Sequence, residues 1–212
     1  MHQSKQERTS AFELTWSLST AREATGDPSL KLEYRVEAIE ELYVGDRLWD
    51  YDNKRERVPD PFGVYRFVSS NSLRLVFAQA PYPPNVMPRI VYKPLFSRIR
   101  AGEARHREVW IKLPIDEYSS LARDVNASTA LEEVSRVFLV LSYRLRSTMD
   151  HDPAPPPNET VESAGYIVHD PTLIISSLDV EPFPVRRRTG YMARFPLPGE
   201  PGPGPVPPPG AP

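Results

Sequence analysis

Four histidines and the carboxylates beside them are the residues in this chain whose types and spacing could do chemistry. His151 lies between Asp150 and Asp152, His169 precedes Asp170, and His106 stands two residues before Glu108, while His2 belongs to a polar N-terminus. An imidazole among carboxylates can act as a general base or join a metal-ligand set. If 136–146 and 161–169 pair as a hairpin around the loop of the 150s, His151 and His169 fall at opposite ends of it. At roughly 3.3 Å per residue they are then about 25 Å apart, and no shared site is expected. His106 and Glu108 would share one face of a strand, as polar residues do on any solvated sheet face.

Other reaction signatures are missing from the sequence. With no cysteine, thiolate nucleophiles, thiolate metal sites and disulfides are excluded. No serine-nucleophile elbow, phosphate-cradling P-loop or dinucleotide fingerprint occurs. The carboxylate pairs Asp46 with Asp50 and Asp116 with Glu117 sit in polar, turn-like surroundings. The expectation is a protein that is not an enzyme, with no catalytic residue, no cofactor and no metal.

The elements that position these residues read as strands. Phe12, Leu14, Trp16 and Leu18 alternate with Glu13, Thr15 and Ser17, and Leu30, Leu32, Tyr34 and Val36 alternate with Lys31, Glu33, Arg35 and Glu37. A period of two with one apolar face marks a half-buried strand of an antiparallel sheet. Further strands are expected at 42–50, 64–69, 73–79, 90–99, 104–113, 136–146, 161–169 and 172–180, with a tight hairpin turn at 69–72. "FSRIRAGEARHREVWIKLP", 96–114, reads as two strands joined by Ala101-Gly102-Glu103. Only 128–136 has the caps and early carboxylates of a short helix. Short strands with frequent turns predict an all-β fold, an immunoglobulin-like antiparallel β-sandwich with enlarged loops and at most one or two short helices.

The expected organisation is a flexible N-terminus over 1–10, a β-sandwich domain over 11–185, a basic linker over 186–195 and a disordered Pro/Gly-rich tail over 196–212. Proline is abundant at 25 residues, and the tail "PLPGEPGPGPVPPPGAP" holds too little apolar surface to offset the entropy of ordering. Net charge is −2, so no global basic field draws nucleic acid or an anionic membrane to the chain. The cluster Arg186-Arg187-Arg188 reads as the base of a solvated tail. There is no signal-peptide run and no apolar stretch long enough for a span, so a soluble, cytoplasmic protein is expected.

The strand "LKLEYRVEA", the turn "RAGE" at 100–103 and the returning "IKLP" at 111–114 resemble immunoglobulin-like modules of cytosolic bacterial proteins, in particular the intracellular proteinase inhibitor domain. The resemblance spans about 29–114 and implies a sandwich that works by binding another protein. It carries over no individual site residue.

The functional expectation is a non-catalytic protein-binding or adaptor module. A protease-inhibitor-like binder, a structural subunit with possible homo-oligomer formation, and a metal-dependent enzyme or carbohydrate binder are the alternatives. Large aromatics and arginines at strand ends are the candidate partner contacts: Tyr43, Arg47, Trp49 and Tyr51 in one segment, Tyr82 and Arg89 in the proline-rich 80–96 segment, and Trp110 on the outer face of its strand. Each of these aromatics can equally seal the ends of the sandwich.

Overall fold

The computed structural model describes residues 1–22, 26–51, 57–59, 63–79, 94–118, 127–153 and 165–188. The strands are β1 (His2–Arg8), β2 (Phe12–Arg22), β3 (Pro28–Ala38), β4 (Leu42–Arg47), β5 (Trp49–Tyr51), β6 (Arg57–Pro59), β7 (Tyr65–Ser69), β8 (Ser72–Phe77), β9 (Leu95–Ile99), β10 (Ala104–Lys112), β11 (Ile115–Asp116), β12 (Ala127–Leu145) and β13 (Thr172–Arg188). Among the described residues the helical element is one 3-10 turn, Arg146–Thr148. The chain is all-β.

A four-stranded sheet has the order β1-β2-β3-β10, and a seven-stranded sheet runs β11-β13-β12-β4-β9 with β8 also on β12 and β7 on β8. Phe12, Leu14, Trp16, Leu18, Leu30, Leu32, Tyr34 and Val36 from the first sheet pack with Leu42, Val44, Leu73, Leu75, Phe77, Val137, Leu139 and Leu141 from the second in one core. The alternation of β2 and β3 therefore has the cause inferred from sequence: every second side chain enters the space between two sheets. The tight turn at 69–72 is also present, with Ser69 opposite Ser72 and Ser70 at φ 51°.

Not all pairing is antiparallel. β8 runs parallel to β12, and β11 runs parallel to β13. On one side β12 is shared, with 136–141 beside β8 and 142–145 beside β4.

Five local expectations are corrected. Residues 2–8 are not loose but form β1, in register with β2 from His2 opposite Ser19 to Arg8 opposite Glu13. β1 is held by polar side chains: Ser176 Oγ donates to Glu7 (2.7 Å), Trp16 Nε1 donates to that Ser176 Oγ (2.7 Å), and Lys5 Nζ donates to the Ser177 carbonyl (3.1 Å). Hydrophobic periodicity cannot reveal a strand held in this way. The expected helix at 128–136 is instead the start of β12, because the β13 backbone pairs with it from Ala127 onward. Tertiary pairing overrides a weak local preference.

Residues 165–170 form no strand but one bridge, Tyr166 with Phe96; β13 takes the place beside β12 that 161–169 was expected to fill. Arg186 and Arg187 are not in a linker: they lie on β13, Arg186 near Asp116 (3.5 Å) and Arg187 on Glu132 (2.9 Å). The tail from 189 onward lies outside the described residues.

The fifth correction concerns 96–114. β9 and β10 are not a hairpin, since β9 pairs with β4 and β10 with β3. The Ala101-Gly102-Glu103 turn, with Gly102 at φ 82°, carries the chain from one sheet to the other. The β3–β4 connection crosses beside it. Gly102 N donates to the Ala38 carbonyl (2.8 Å) and Ala38 N to the Glu103 carbonyl (2.9 Å), so the two crossings brace each other.

Candidate functional site

Strand parity separates the candidate contact residues. On β4, Tyr43 points away from the main core but is fully buried, its ring edge-on to Tyr166 at 5.1 Å and packed with Phe96 and Val168. Burial, opposed by Arg98, pushes its phenol up to about 12. Trp49 is likewise buried and packs with Leu95 and Ile167. These two aromatics seal the structure and offer no free surface. Arg47 is partly buried, 3.6 Å from Asp46, and lies over Gly165, where an added Cβ would strike its guanidinium. The side chain of Tyr51 and the whole of Tyr82 and Arg89 lie outside the described residues.

Trp110 is different. It is 39% exposed on the outer face of β10, alongside exposed His106, Glu108 and Lys112. Its indole Nε1 donates to Glu108 (2.5 Å), and Lys31 Nζ stands 5.4 Å from the ring centre while pairing with Glu108 and Glu33 at 2.9 Å each. The hydrogen bond from Lys31, then that from Trp110, holds the Glu108 carboxyl below the usual range, and the Glu108 contact raises Lys31. The ring is thus oriented by polar neighbours while much of its surface stays in water. β10 also pairs with β3 on one side alone, and among the described residues no strand covers its other edge.

The inner face of β10 holds residues that sequence reasoning missed. Arg105 and Arg107 share the parity of buried Val109 and Ile111, and Arg107 stands opposite Tyr34 in the register with β3. Across the gap, Asp46 is fully buried rather than in a polar turn. It accepts from Ser97 Oγ (2.9 and 3.0 Å) and from Arg105 Nε (2.9 Å). Carrying the alternation of "ARHREVWIK" backward from Val109 would have placed both arginines inward. Their charge argued for the surface, and Asp46 on another sheet was invisible to a local pattern.

His151 and His169 require a further correction. They do not lie at opposite ends of a hairpin; both line one cavity of about 600 Å³ with Arg144, Asp150, Asp152 and Asp170. The distance argument assumed 161–169 to be a strand. Arg144 instead anchors this segment, donating to the Asp170 carbonyl (2.5 Å) and the Thr148 carbonyl (3.0 Å). Asp152 is engaged by Arg146 (2.7 Å) and Tyr43 (3.3 Å). Among the described residues no three His, Asp or Glu side chains are grouped to hold a metal ion.

Asp116 and Glu117 form no carboxylate pair. Asp116 faces Arg186, whereas buried Glu117 accepts from the Val68 backbone N–H (2.7 Å). No helix among the described residues is long and apolar enough to cross a membrane.

No family model matches the chain, and neither a curated protein nor a solved structure matches it.

Proposed function

We propose that this chain is a non-catalytic binding module that takes an extended segment of another protein along the edge of β10, with Trp110 as the apolar anchor. The observation that carries the reading is an exposed, oriented tryptophan on an edge strand. A peptide can extend such a sheet through backbone hydrogen bonds, while side chains on alternate positions supply selectivity. Trp110 offers a large contact area at low entropy cost.

The two sheets and their common core make an immunoglobulin-like sandwich the finer reading of the fold, and the inhibitor-domain resemblance of "RAGE" and "IKLP" fits a module of this kind. A protease-inhibitor-like binder is its narrower form, a self-pairing structural subunit another. The cytoplasm is the proposed location.

The test is capture of a partner by the full chain, followed by amide hydrogen exchange of the complex. Protection over 104–112, and loss of the partner in Trp110→Ala with folding unchanged, is the expected result. A partner retained by Trp110→Ala, or lost only when the chain is cut after Phe195, removes β10 as the docking edge.

The convergence of both His/Asp motifs on one cavity favours a second reading, a carbohydrate-binding pocket. Exchange protection over 148–153 and 165–170 on adding oligosaccharide, with β10 unaffected, would select it.

A further inference from the structure

Among the described residues, the gap behind β10 holds more positive charge than the carboxylate facing it neutralises. Arg105 and Arg47 both approach Asp46, at 2.9 and 3.6 Å. Arg107 forms no ion pair among the described residues, and its Nε is buried without a hydrogen-bond partner. Counted over the described residues, three guanidiniums against one carboxylate leave two positive charges in a partly buried space. Screening there is weaker than at an open surface.

The same space holds an unused neutral donor. The Tyr34 hydroxyl lies opposite Arg107 on the neighbouring strand, is 1% exposed, and, with only the Arg107 guanidinium in reach, donates its O–H to no acceptor among the described residues. Burial first, then the Asp46 charge, hold its phenol well above the usual range, against the pull of Arg107 and Arg105. It therefore remains an O–H donor at neutral pH. Buried polar groups in folded proteins are nearly always satisfied, so a hydroxyl proton and a guanidinium Nε–H that both lack an acceptor mark a place for one. The arginine side chains still reach water, with Arg105 41% and Arg47 25% exposed, so an acceptor has a way in.

We propose that Arg47, Arg105, Arg107 and Tyr34 form a binding site for a small dianion of the phosphate class, either free phosphate or the phosphoryl group of a small molecule. The charge of a phosphate monoester above its second pKa of about 6 matches the two unneutralised charges. Guanidinium forks suit its oxygens, and the tyrosine O–H supplies a neutral donor that orients it. Asp46 positions Arg105 and keeps the emptied site from unchecked repulsion. This inference does not depend on protein docking at β10: Arg105, Arg107 and Tyr34 lie on the inner faces of their strands, whereas Trp110 faces outward.

Calorimetric titration of the full chain at pH 8 and constant ionic strength, in chloride, provides the test. Inorganic phosphate and phenyl phosphate are the two probes. Saturable one-to-one binding of either supports the site, and the tighter of the two identifies the source of the phosphoryl group. Arg107→Gln should weaken binding roughly tenfold or more, the loss of a charge-assisted hydrogen bond. Tyr34→Phe should weaken it roughly two- to tenfold with little change in melting temperature, since it removes a hydroxyl proton that has no acceptor among the described residues of the free protein. Because the phenylalanine variant keeps the core shape, it decides the matter even if Arg107→Gln folds poorly. No saturable binding of either probe overturns the proposal, as does undiminished binding by Tyr34→Phe.

Discussion

Glu108 shows how one side chain can belong to a strand pattern and a surface device together. Its place on the wet face of β10 follows from alternation alone, but its contacts with Lys31 and Trp110 join two strands. Glu108 titrates below the usual range, so its contribution is present above the ordinary glutamate pKa and is lost as pH falls through the lowered folded value. Lys31 is raised, so its contribution is lost only as pH rises through its own folded value. Trp110 fluorescence, taken as the wild-type signal minus that of Trp110→Phe, should thus stay level on acidification and change with a midpoint below the ordinary glutamate value near 4.5. A midpoint at the ordinary value would mean that the Lys31–Glu108–Trp110 group does not persist in solution. The exposed side of Trp110 was legible from parity. The buried roles of Tyr43 and Trp49 were not, because an aromatic at a strand end looks the same in sequence whether a neighbouring segment covers it or not.

At the scale of elements, the strands whose apolar residues alternate were readable, and those held by other means were not. β1 has no apolar stripe, and β12 begins in residues with helical preferences. The turn at 100–103 is a sheet crossing whose partner is the β3–β4 connection. Close approach of strands leaves its own mark at Gly45 on β4. A Cβ there would collide with Ser142 Oγ and come within 3.3 Å of the Phe96 ring. Ser142 cannot retreat without giving up its hydrogen bond to the Phe77 carbonyl (2.9 Å), a contact that ties β12 to the end of β8. Gly45→Ala should therefore destabilise the fold by about 1–3 kcal/mol, the usual cost of overpacking. Urea unfolding of the variant measures it, and an unchanged midpoint would show that β4 and β12 can separate without penalty.

For the whole molecule, the decisive feature is a core drawn from both sheets. Trp16 of the first sheet and Leu139 of the second are fully buried members of the same cluster. Without the other, the four-stranded sheet loses its covered apolar face and the seven-stranded sheet loses the largest of its buried clusters, so the described strands should unfold together. Tryptophan fluorescence and far-UV circular dichroism should give coincident denaturation curves, and Leu139→Ala should lower stability by about 2–5 kcal/mol in both. Separate transitions would show that one sheet survives alone. The same packing brings together groups far apart in the chain, such as Tyr34, Asp46 and Arg107, or His151 and His169.

The sequence by itself determined that this is an all-β chain with alternating half-buried strands, no thiol chemistry and a wet face carrying His106, Glu108 and Trp110. Each of these follows from residue type or from a period of two along one strand. Only the tertiary structure decided which strands are neighbours, that β9 and β10 lie on different sheets, and that arginines beside a buried carboxylate and a buried tyrosine share one gap. Local periodicity says which way a side chain points. It carries no information about what stands across from it, because that depends on how separate segments pack.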